Sequence, residues 1–375
     1  MATDTVPAPR LSQENLVEAF QQLVLLAKTT RSNGWQFKAK YYQQVGDLVA
    51  NLTQEAYQSM TETAEFVVYF QSRGMKFKGE LEYYLRHGTW KSRVLDKLET
   101  LLTTGNLQQL AQDNPEVWAE VAAVRDLTRI PELGEAKAKA LYAQGIHSVA
   151  QLEAHPQVDQ VINRKQLIGL RHYQDLAQRI PRAEMDQWNQ LLTEIVACQA
   201  DSLGLTDVRA SMVGSYRRGV ADSGDVDFYV CANEQQTLMN AIVDTLVSLE
   251  MVQPEDIISG GVKKTMMIGR LDANHPARHL DIFVFPPPQF PFALMYATGS
   301  KDFNLAVRNY ALQHGWSLSD QALRQGSPSG PVPTPEELVD RLGQTEITSE
   351  QDIFDFLGIA WVEPEERDGA AVQPV

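Results

Sequence analysis

Cysteine is nearly absent: Cys198 and Cys231 are the only two in 375 residues. That is too few for a disulfide framework, so the expected compartment is reducing, hence intracellular (nuclear in a eukaryote, otherwise cytoplasmic). The seven histidines are scattered without a zinc-ligand spacing. No run of 18 apolar residues occurs, so no transmembrane helix is expected and no membrane partner. Residues 1–10 lack the apolar core of a signal peptide and read as a short disordered tail. A basic excess is also missing. With 33 Lys+Arg against 48 Asp+Glu, the formal charge of −15 runs against a nucleic-acid partner, which favours a basic face. The excess is uneven: 11 basic against 10 acidic residues over 11–112 and 8 against 9 over 113–180, then 8 against 15 over 181–289 and 5 against 13 over 290–375. A basic stripe therefore has room only in the first half. What is present is ordinary for a soluble chain of two or three domains, at 43% hydrophobic and 22% charged residues.

The chemistry concentrates in Met212-Val-Gly-Ser-Tyr-Arg-Arg-Gly-Val-Ala-Asp-Ser-Gly-Asp-Val-Asp-Phe-Tyr-Val230. Side chains alternate along a strand, so Asp225 and Asp227 share one face while Val226 and Phe228 share the other. Two adjacent carboxylates repel, and a divalent ion held by oxygen ligands relieves them. Gly214 and Ser215 offer bare N–H groups and a hydroxyl suited to a phosphate. An Asp-x-Asp alone is commonly a solvated strand end; the Gly-Ser turn, the Arg217-Arg218 pair and Gly224 make this one specific. A third carboxylate, Asp281, interrupts the apolar strand His279-Leu-Asp-Ile-Phe-Val-Phe285. It is costly there unless paired or metal-bound.

Around this centre, helical periodicity places Leu16, Phe20, Leu23, Val24 and Leu26-Ala27 on one stripe and Tyr41, Val45, Leu48, Val49 and Leu52 on another. A helix is expected from about Ser92 to Thr104 with Leu95, Leu98 and Leu102 inward and Gly105 as its C-cap. Leu127-Thr-Arg-Ile-Pro-Glu-Leu-Gly-Glu-Ala-Lys-Ala-Lys-Ala140 reads as a strand-like entry, a tight hairpin and a helix from about Gly134. Such a hairpin grips a DNA backbone by aiming N–H groups at phosphates. Helices are expected over 183–200, over 234–250 and from 301 to about 313, with a strand at Lys264–Gly269. Lys301, Asn304 and Arg308 share one face of the 301–313 helix. Ser327 to Pro335 reads as a Pro-rich exposed loop, Asp352–Leu357 as a helix, and the tail after Glu363 as disordered.

The 212–230 segment, together with Gln166-Leu-Ile-Gly-Leu-Arg-His-Tyr-Gln-Asp-Leu-Ala-Gln-Arg-Ile-Pro-Arg182 and Tyr296-Ala-Thr-Gly-Ser300, closely resembles the family X DNA polymerases, the group around DNA polymerase beta. The resemblance implies an α+β fold: a helical lyase-like domain (11–112), a helix-hairpin-helix subdomain (113–180), a nucleotidyltransferase palm with a mixed sheet (181–289) and a small α+β subdomain against the nascent base pair (290–375). It implies template-directed gap filling in DNA repair by two-metal-ion phosphoryl transfer, on gapped or primer-template DNA with dNTPs, by a monomer. Asp225, Asp227 and Asp281 would hold two Mg²⁺ ions, with Mn²⁺ as a substitute. Arg179, Gly214, Ser215, Arg218 and Gly224 would face the triphosphate. Tyr296, Ala297, Gly299 and Asn304 would face sugar and base, and Arg308 the template. Backbone carbonyls of Thr128, Ile130 and Leu133, beside Gly134, would hold K⁺ or Na⁺ against DNA. Lys97 would form a Schiff base with a 5′-deoxyribose phosphate, Arg93 lowering its pKa and Tyr41 lining its pocket; the plainer reading is a solvent-facing lysine.

Four departures stand out. Gly88-Thr-Trp-Lys91 replaces a Pro-Gly-x-Gly hairpin, Glu132 replaces a hairpin glycine, His279 an arginine, and Ala297 a phenylalanine. The short connection from Gly269 to Asp281 argues against untemplated extension. Two other readings stay open. A non-catalytic gapped-DNA binding module predicts loss of one carboxylate, and all three are present. A nucleotidyltransferase acting on RNA or a small molecule would not need the DNA-type hairpin.

Overall fold

The computed structural model describes residues 11–31, 34–77, 79–104, 115–368 and 372–374. The expected tail at 1–10, the cap at Gly105 and the boundary at 112 lie outside them. The chain forms two compact units, Met1–Val161 and Ile162–Val375.

The first unit is helical: α1 (Gln13–Thr30), α2 (Trp35–Ala50), α3 (Gln54–Ser59), α4 (Thr63–Ser72), α5 (Glu80–His87), α6 (Arg93–Thr104), α7 (Pro115–Leu127), α8 (Glu135–Ala143), α9 (Val149–Glu153) and α10 (Val158–Val161). Ser12 starts α1 by accepting the Asn15 N–H at 3.2 Å, a side-chain cap on an otherwise orphaned donor. The α1 stripe is Leu16, Ala19, Phe20, Leu23, Val24 and Ala27. That of α2 is Ala39, Tyr42, Val45, Gly46 and Val49. Gly46 lets the two helices approach, since a Cβ there would sit 3.3 Å from Phe20 Cβ. Leu26, Tyr41 and Leu48 are only partly buried. On α6 the inward side is Val94, Leu95, Leu98 and Leu101, with Leu102 at its edge. The segment before the 130–134 hairpin is the last turn of α7 rather than strand-like, because Val124 and Leu127 bury at helical spacing. Buried Ile130 and Leu133 pin the hairpin between α7 and α8.

The second unit opens with α11 (Arg164–Leu176), capped reciprocally by Asn163 and Gln166. Ile168 and Leu176 pack it against Ile258 and Ile268. Next come β1 (Ile180–Pro181), α12 (Arg182–Ser202), β2 (Arg209–Met212), the single turn α13 (Gly214–Arg217), β3 (Asp222–Ser223), β4 (Val226–Cys231), α14 (Gln235–Ser248), β5 (Val252–Ser259), β6 (Lys264–Gly269) and β7 (Arg278–Phe285). β2, β4, β7, β6 and β5 form one mixed sheet in that order, with β4 and β7 parallel and the other neighbours antiparallel. One face carries the main core, where Val226, Phe228, Leu280 and Ile282 meet Trp188 and Leu192 of α12 and Leu238 and Ile242 of α14. Part of the other face is covered by α15 (Phe290–Thr298), whose Phe290 and Ala293 pack on Tyr229, Cys231 and Phe285.

A second core joins α15 to α16 (Lys301–Gln313), the β8–β9 hairpin (Trp316–Leu318, Leu323–Gln325), α17 (Pro335–Leu342) and α18 (Glu350–Leu357), around Phe303, Val307, Ile353 and Phe354. The expected disorder after Glu363 is corrected for 364–368. Pro364–Glu366 is a turn of 3-10 helix, and Arg367 is fully buried on Glu350. An arginine with a buried partner anchors the segment that composition alone would leave loose.

Candidate active site

The uncovered part of the sheet's second face holds the carboxylates. Register places Asp227 directly opposite Asp281 on parallel strands, so both side chains leave the sheet on one side, with Asp225 two residues earlier on that side. Val226, Phe228, Leu280 and Ile282, at the alternate positions, lie in the main core. Burial is the first cause that lifts the Asp227 carboxyl to about 7; Asp225 and Asp281 add to it and Lys264 opposes. Loss of water also raises Asp225, with His279 pulling it back and Asp281 pushing it up. Crowded carboxylates of raised pKa are the electrostatic condition that a divalent cation relieves.

Asp281 sharpens the point. Its Oδ2 meets the Lys264 ammonium at 2.6 Å. Its Oδ1 is buried without a hydrogen-bond partner; His279 Nδ1 lies 3.2 Å away, but not in hydrogen-bonding geometry. A buried carboxylate oxygen left over in this way is open to a ligand. The donor set is all-oxygen and hard, and fits Mg²⁺ or Mn²⁺. Among the described residues no three His, Cys, Asp or Glu side chains are already gathered at ion-holding distance.

Above Asp227 runs the Gly-Ser turn. Gly214 has φ +64°, and a Cβ on it would stand 3.3 Å from Asp227 Oδ2. Only glycine takes that backbone freely while lying so close to the carboxylate. The Ser215 hydroxyl donates to Ser223 at 2.9 Å, tying the turn to β3. Arg179 is exposed and held by Asp222, at 2.6 Å to Oδ1 and 3.0 Å to the carbonyl. A Cβ on Gly224 would come within 3.1 Å of its Nη1.

The two loop arginines reach the C-terminal subdomain. Arg217 donates to Thr298 Oγ1 and Glu350 Oε2, both at 2.5 Å, and Glu350 Oε1 takes Arg367 at 2.7 Å. Arg218 donates to the Thr298 carbonyl at 2.7 Å and to Asp368 at 3.0 Å. Arg218 also lines an open pocket of about 490 Å³ with Tyr296, Ala297, Gly299, Asn304 and Arg308, so these predicted residues do come together. Tyr296 is 47% exposed, which excludes a core aromatic. Asn304 Nδ2 donates to its carbonyl at 2.7 Å.

In the first unit, Lys97 is half-buried on α6. The tyrosine that senses Arg93 is Tyr42, whose hydroxyl is pushed up first by burial and pulled back by Arg93; Tyr41 packs on Phe77 instead. At the altered first hairpin Trp90 stacks on Tyr84 with centroids 4.2 Å apart. The Glu80 carboxylate accepts the N–H groups of Lys91 and Ser92 at 3.0 and 3.1 Å. The chain's own anion therefore fills the turn into α6. In the second hairpin Glu132 sits at φ +64°, the strain expected of a side chain at a glycine position. The Ile130 carbonyl accepts the Leu133 N–H at 3.1 Å.

Lys264, Asp222, Thr298, Glu350 and Arg367 escape sequence reasoning. Strand alternation sets Lys264 on the side of Met266, but only the pairing of Met266 with Asp281 brings it to the carboxylate. Glu350 meets Arg217 across 133 residues and Arg367 across 17, and neither pairing shows as a local pattern.

Comparison with known proteins agrees with this geometry. Residues 125–177 match the fingers domain of DNA polymerase lambda, 179–287 the DNA polymerase beta palm and 293–368 the DNA polymerase beta thumb. DNA polymerase lambda of Rattus norvegicus is 31% identical over 295 residues, covering 74% of this chain and 47% of the relative. DNA polymerase lambda of Arabidopsis thaliana is 26% identical over 284 residues (73% and 51%). Human DNA-directed DNA/RNA polymerase mu is 26% identical over 280 residues (64% and 51%). The chain spans about half the length of these relatives. A palm whose carboxylates face out of a mixed sheet beneath a Gly-Ser turn, continuous with matching fingers and thumb, places this chain in the family X DNA polymerases.

Proposed function

We propose that this chain is a template-directed DNA polymerase that fills short gaps during repair. The observation that carries the reading is the Asp225, Asp227 and Asp281 set, with one buried Asp281 oxygen unpartnered and Asp227 held near 7. Divalent ions bound there would neutralise phosphate charge and make the primer hydroxyl acidic. Asp225 and Asp227 would hold the ions, and Asp281 would face the primer 3′-OH and take up its proton as that oxygen attacks the α-phosphorus and pyrophosphate leaves. The bare backbone at Gly214 and Ser215 admits the triphosphate, and Arg179 lies beside it once it gives up Asp222. Tyr296, with Ala297 beside it, faces the sugar, Asn304 the nascent base pair and Arg308 the template strand. The 130–134 hairpin would hold the duplex through backbone groups, with the carbonyls of Thr128, Ile130 and Leu133 turned to a monovalent cation and Gly134 leaving room for a phosphate. The protein would act as a monomer. Among the described residues no helix is long and apolar enough to cross a membrane.

Lys97 carries a second, separable proposal, 5′-deoxyribose-phosphate lyase activity. Its place on α6 favours it, since the side chain is half-buried beside the helical core rather than fully out in solvent.

One assay tests both readings. The protein is incubated with a one-nucleotide-gapped DNA bearing a 5′-deoxyribose phosphate, Mg²⁺ and each dNTP, and borohydride is then added. Templated insertion that falls at least about a thousandfold in Asp281→Ala supports the polymerase reading; insertion untouched by that change overturns it. A borohydride-trapped adduct lost in Lys97→Ala supports the lyase. Extension without trapping makes the N-terminal helices a DNA-binding element only.

A further inference from the structure

The ammonium on Asp281 has a consequence for how the site is loaded. Lys264 lies on β6 opposite Phe283, two residues from Met266, which pairs with Asp281. Its ammonium lies over the Phe283 ring, 4.7 Å from the centroid, and reaches Asp281 Oδ2 at 2.6 Å. The groups that face Asp281 are Asp227 and Asp225 from β4, His279 from β7 and Lys264 from β6. Lys264 is thus the ammonium in direct contact with the third carboxylate, at 2.6 Å from its Oδ2. A buried carboxylate without a counter-ion is expensive, and a lysine side chain that is about a third exposed can swing away.

We propose that Lys264 is a built-in counter-cation, which occupies Asp281 while the divalent ion is away and must be displaced before that ion engages the third carboxylate. Resting on the polymerase reading, this makes Lys264 a positioning residue that sets the affinity of one ion. Loading is then an exchange of ammonium for metal at one oxygen. Asp281 stays paired throughout, and an ion is admitted only when it out-competes a tethered charge. Removing a unit positive charge roughly 5 Å from a divalent ion is worth about tenfold in affinity even at the dielectric of water.

The test is Mn²⁺ titration of the full chain without DNA, read by the spin-resonance signal of free Mn²⁺. Lys264→Met, which keeps the stem and loses the charge, is expected to bind Mn²⁺ about tenfold more tightly than the parent, and Lys264→Arg to match the parent. Asp281→Asn in the Lys264→Met background should abolish the gain. Without divalent ions Lys264→Met should melt lower than the parent, and saturating Mn²⁺ should close the gap. Unchanged or weaker Mn²⁺ binding by Lys264→Met overturns the proposal. So does a melting deficit that persists at saturating Mn²⁺, because a fixed structural partner would behave that way. Gap filling by the parent separates the two readings: extension with unchanged Mn²⁺ affinity overturns the Lys264 exchange alone. No extension together with no Mn²⁺ binding overturns the polymerase reading and this inference with it.

Discussion

Replacing Arg367 by Met should cost about 3 kcal/mol, at the low end of the 3–5 kcal/mol that breaking a buried ion pair from one side usually costs. Arg367 is fully buried. It gives Nη1 to Glu350 at 2.7 Å and Nε to the Val362 carbonyl at 3.0 Å. Its guanidinium lies over the rings of Phe303, Phe354 and Trp361 at 5.4, 5.4 and 5.0 Å. Met recovers much of the apolar packing, and Glu350 keeps Arg217 at 2.5 Å. What is lost is half of Glu350's compensation at a position only 4% exposed. For a unit of this size, ~3 kcal/mol corresponds to a drop of about 6–12 °C in melting temperature, read by the fluorescence of Trp316 and Trp361. The pair term is isolated by a cycle with Glu350→Gln. In the Arg367→Met background, that second change should cost at least about 1 kcal/mol less than it does alone. A loss under about 1 kcal/mol for Arg367→Met, or strict additivity in the cycle, would refute the claim that this network anchors the C-terminal segment.

Three further outcomes follow from named geometry. Asp227 is raised from 3.8 to about 7, so the folded state binds its proton more tightly than the unfolded chain; stability of the metal-free protein should fall as pH rises from about 4 to about 7 and then level off, by at most about 4 kcal/mol shared with its neighbours. Asp227→Asn or saturating Mg²⁺ should flatten that slope in denaturant titrations. Glu132→Gly removes a side chain at φ +64° and should raise stability by about 0.5–1 kcal/mol, while tightening low-salt duplex binding measured by anisotropy. Gly214→Ala puts a methyl 3.3 Å from Asp227 Oδ2 on a left-handed backbone. It should cost about 1–2 kcal/mol and lower kcat/KM for dNTP in steady-state gap filling.

The gathering of three carboxylates on one face was legible because its physics is local. Alternation across Asp225-Val-Asp-Phe and the lone carboxylate in an apolar strand require no knowledge of the rest of the chain. The helices with clean periodicity were legible too, and the 301–313 helix ends where its sequence says it should. The reading failed where the deciding partner is distant. Arg367 looks like part of a polar tail until Glu350 is placed beside it, and Lys264 looks like a strand-edge charge until β6 is set in register on β7. Residues 127–130 read as extended because Thr128 and Ile130 favour strands locally; packing of Val124 and Leu127 overrides that preference. Tyr42 and Tyr41 are adjacent, and only the helix phase, fixed by packing on Phe20, decides which of them meets α6.

The alternation along β4 and β7 also works as an error check during folding. A slip of one residue in either strand would turn Asp227 or Asp281 into the packing beside Trp188 and set Phe228 or Ile282 out in water. Each misplaced carboxylate would cost several kcal/mol and each displaced apolar side chain about 2 more, enough to depopulate the wrong register almost completely. The carboxylates gathered on this face are thereby the residues that forbid the sheet from assembling any other way, and a chain that has folded has already aligned them.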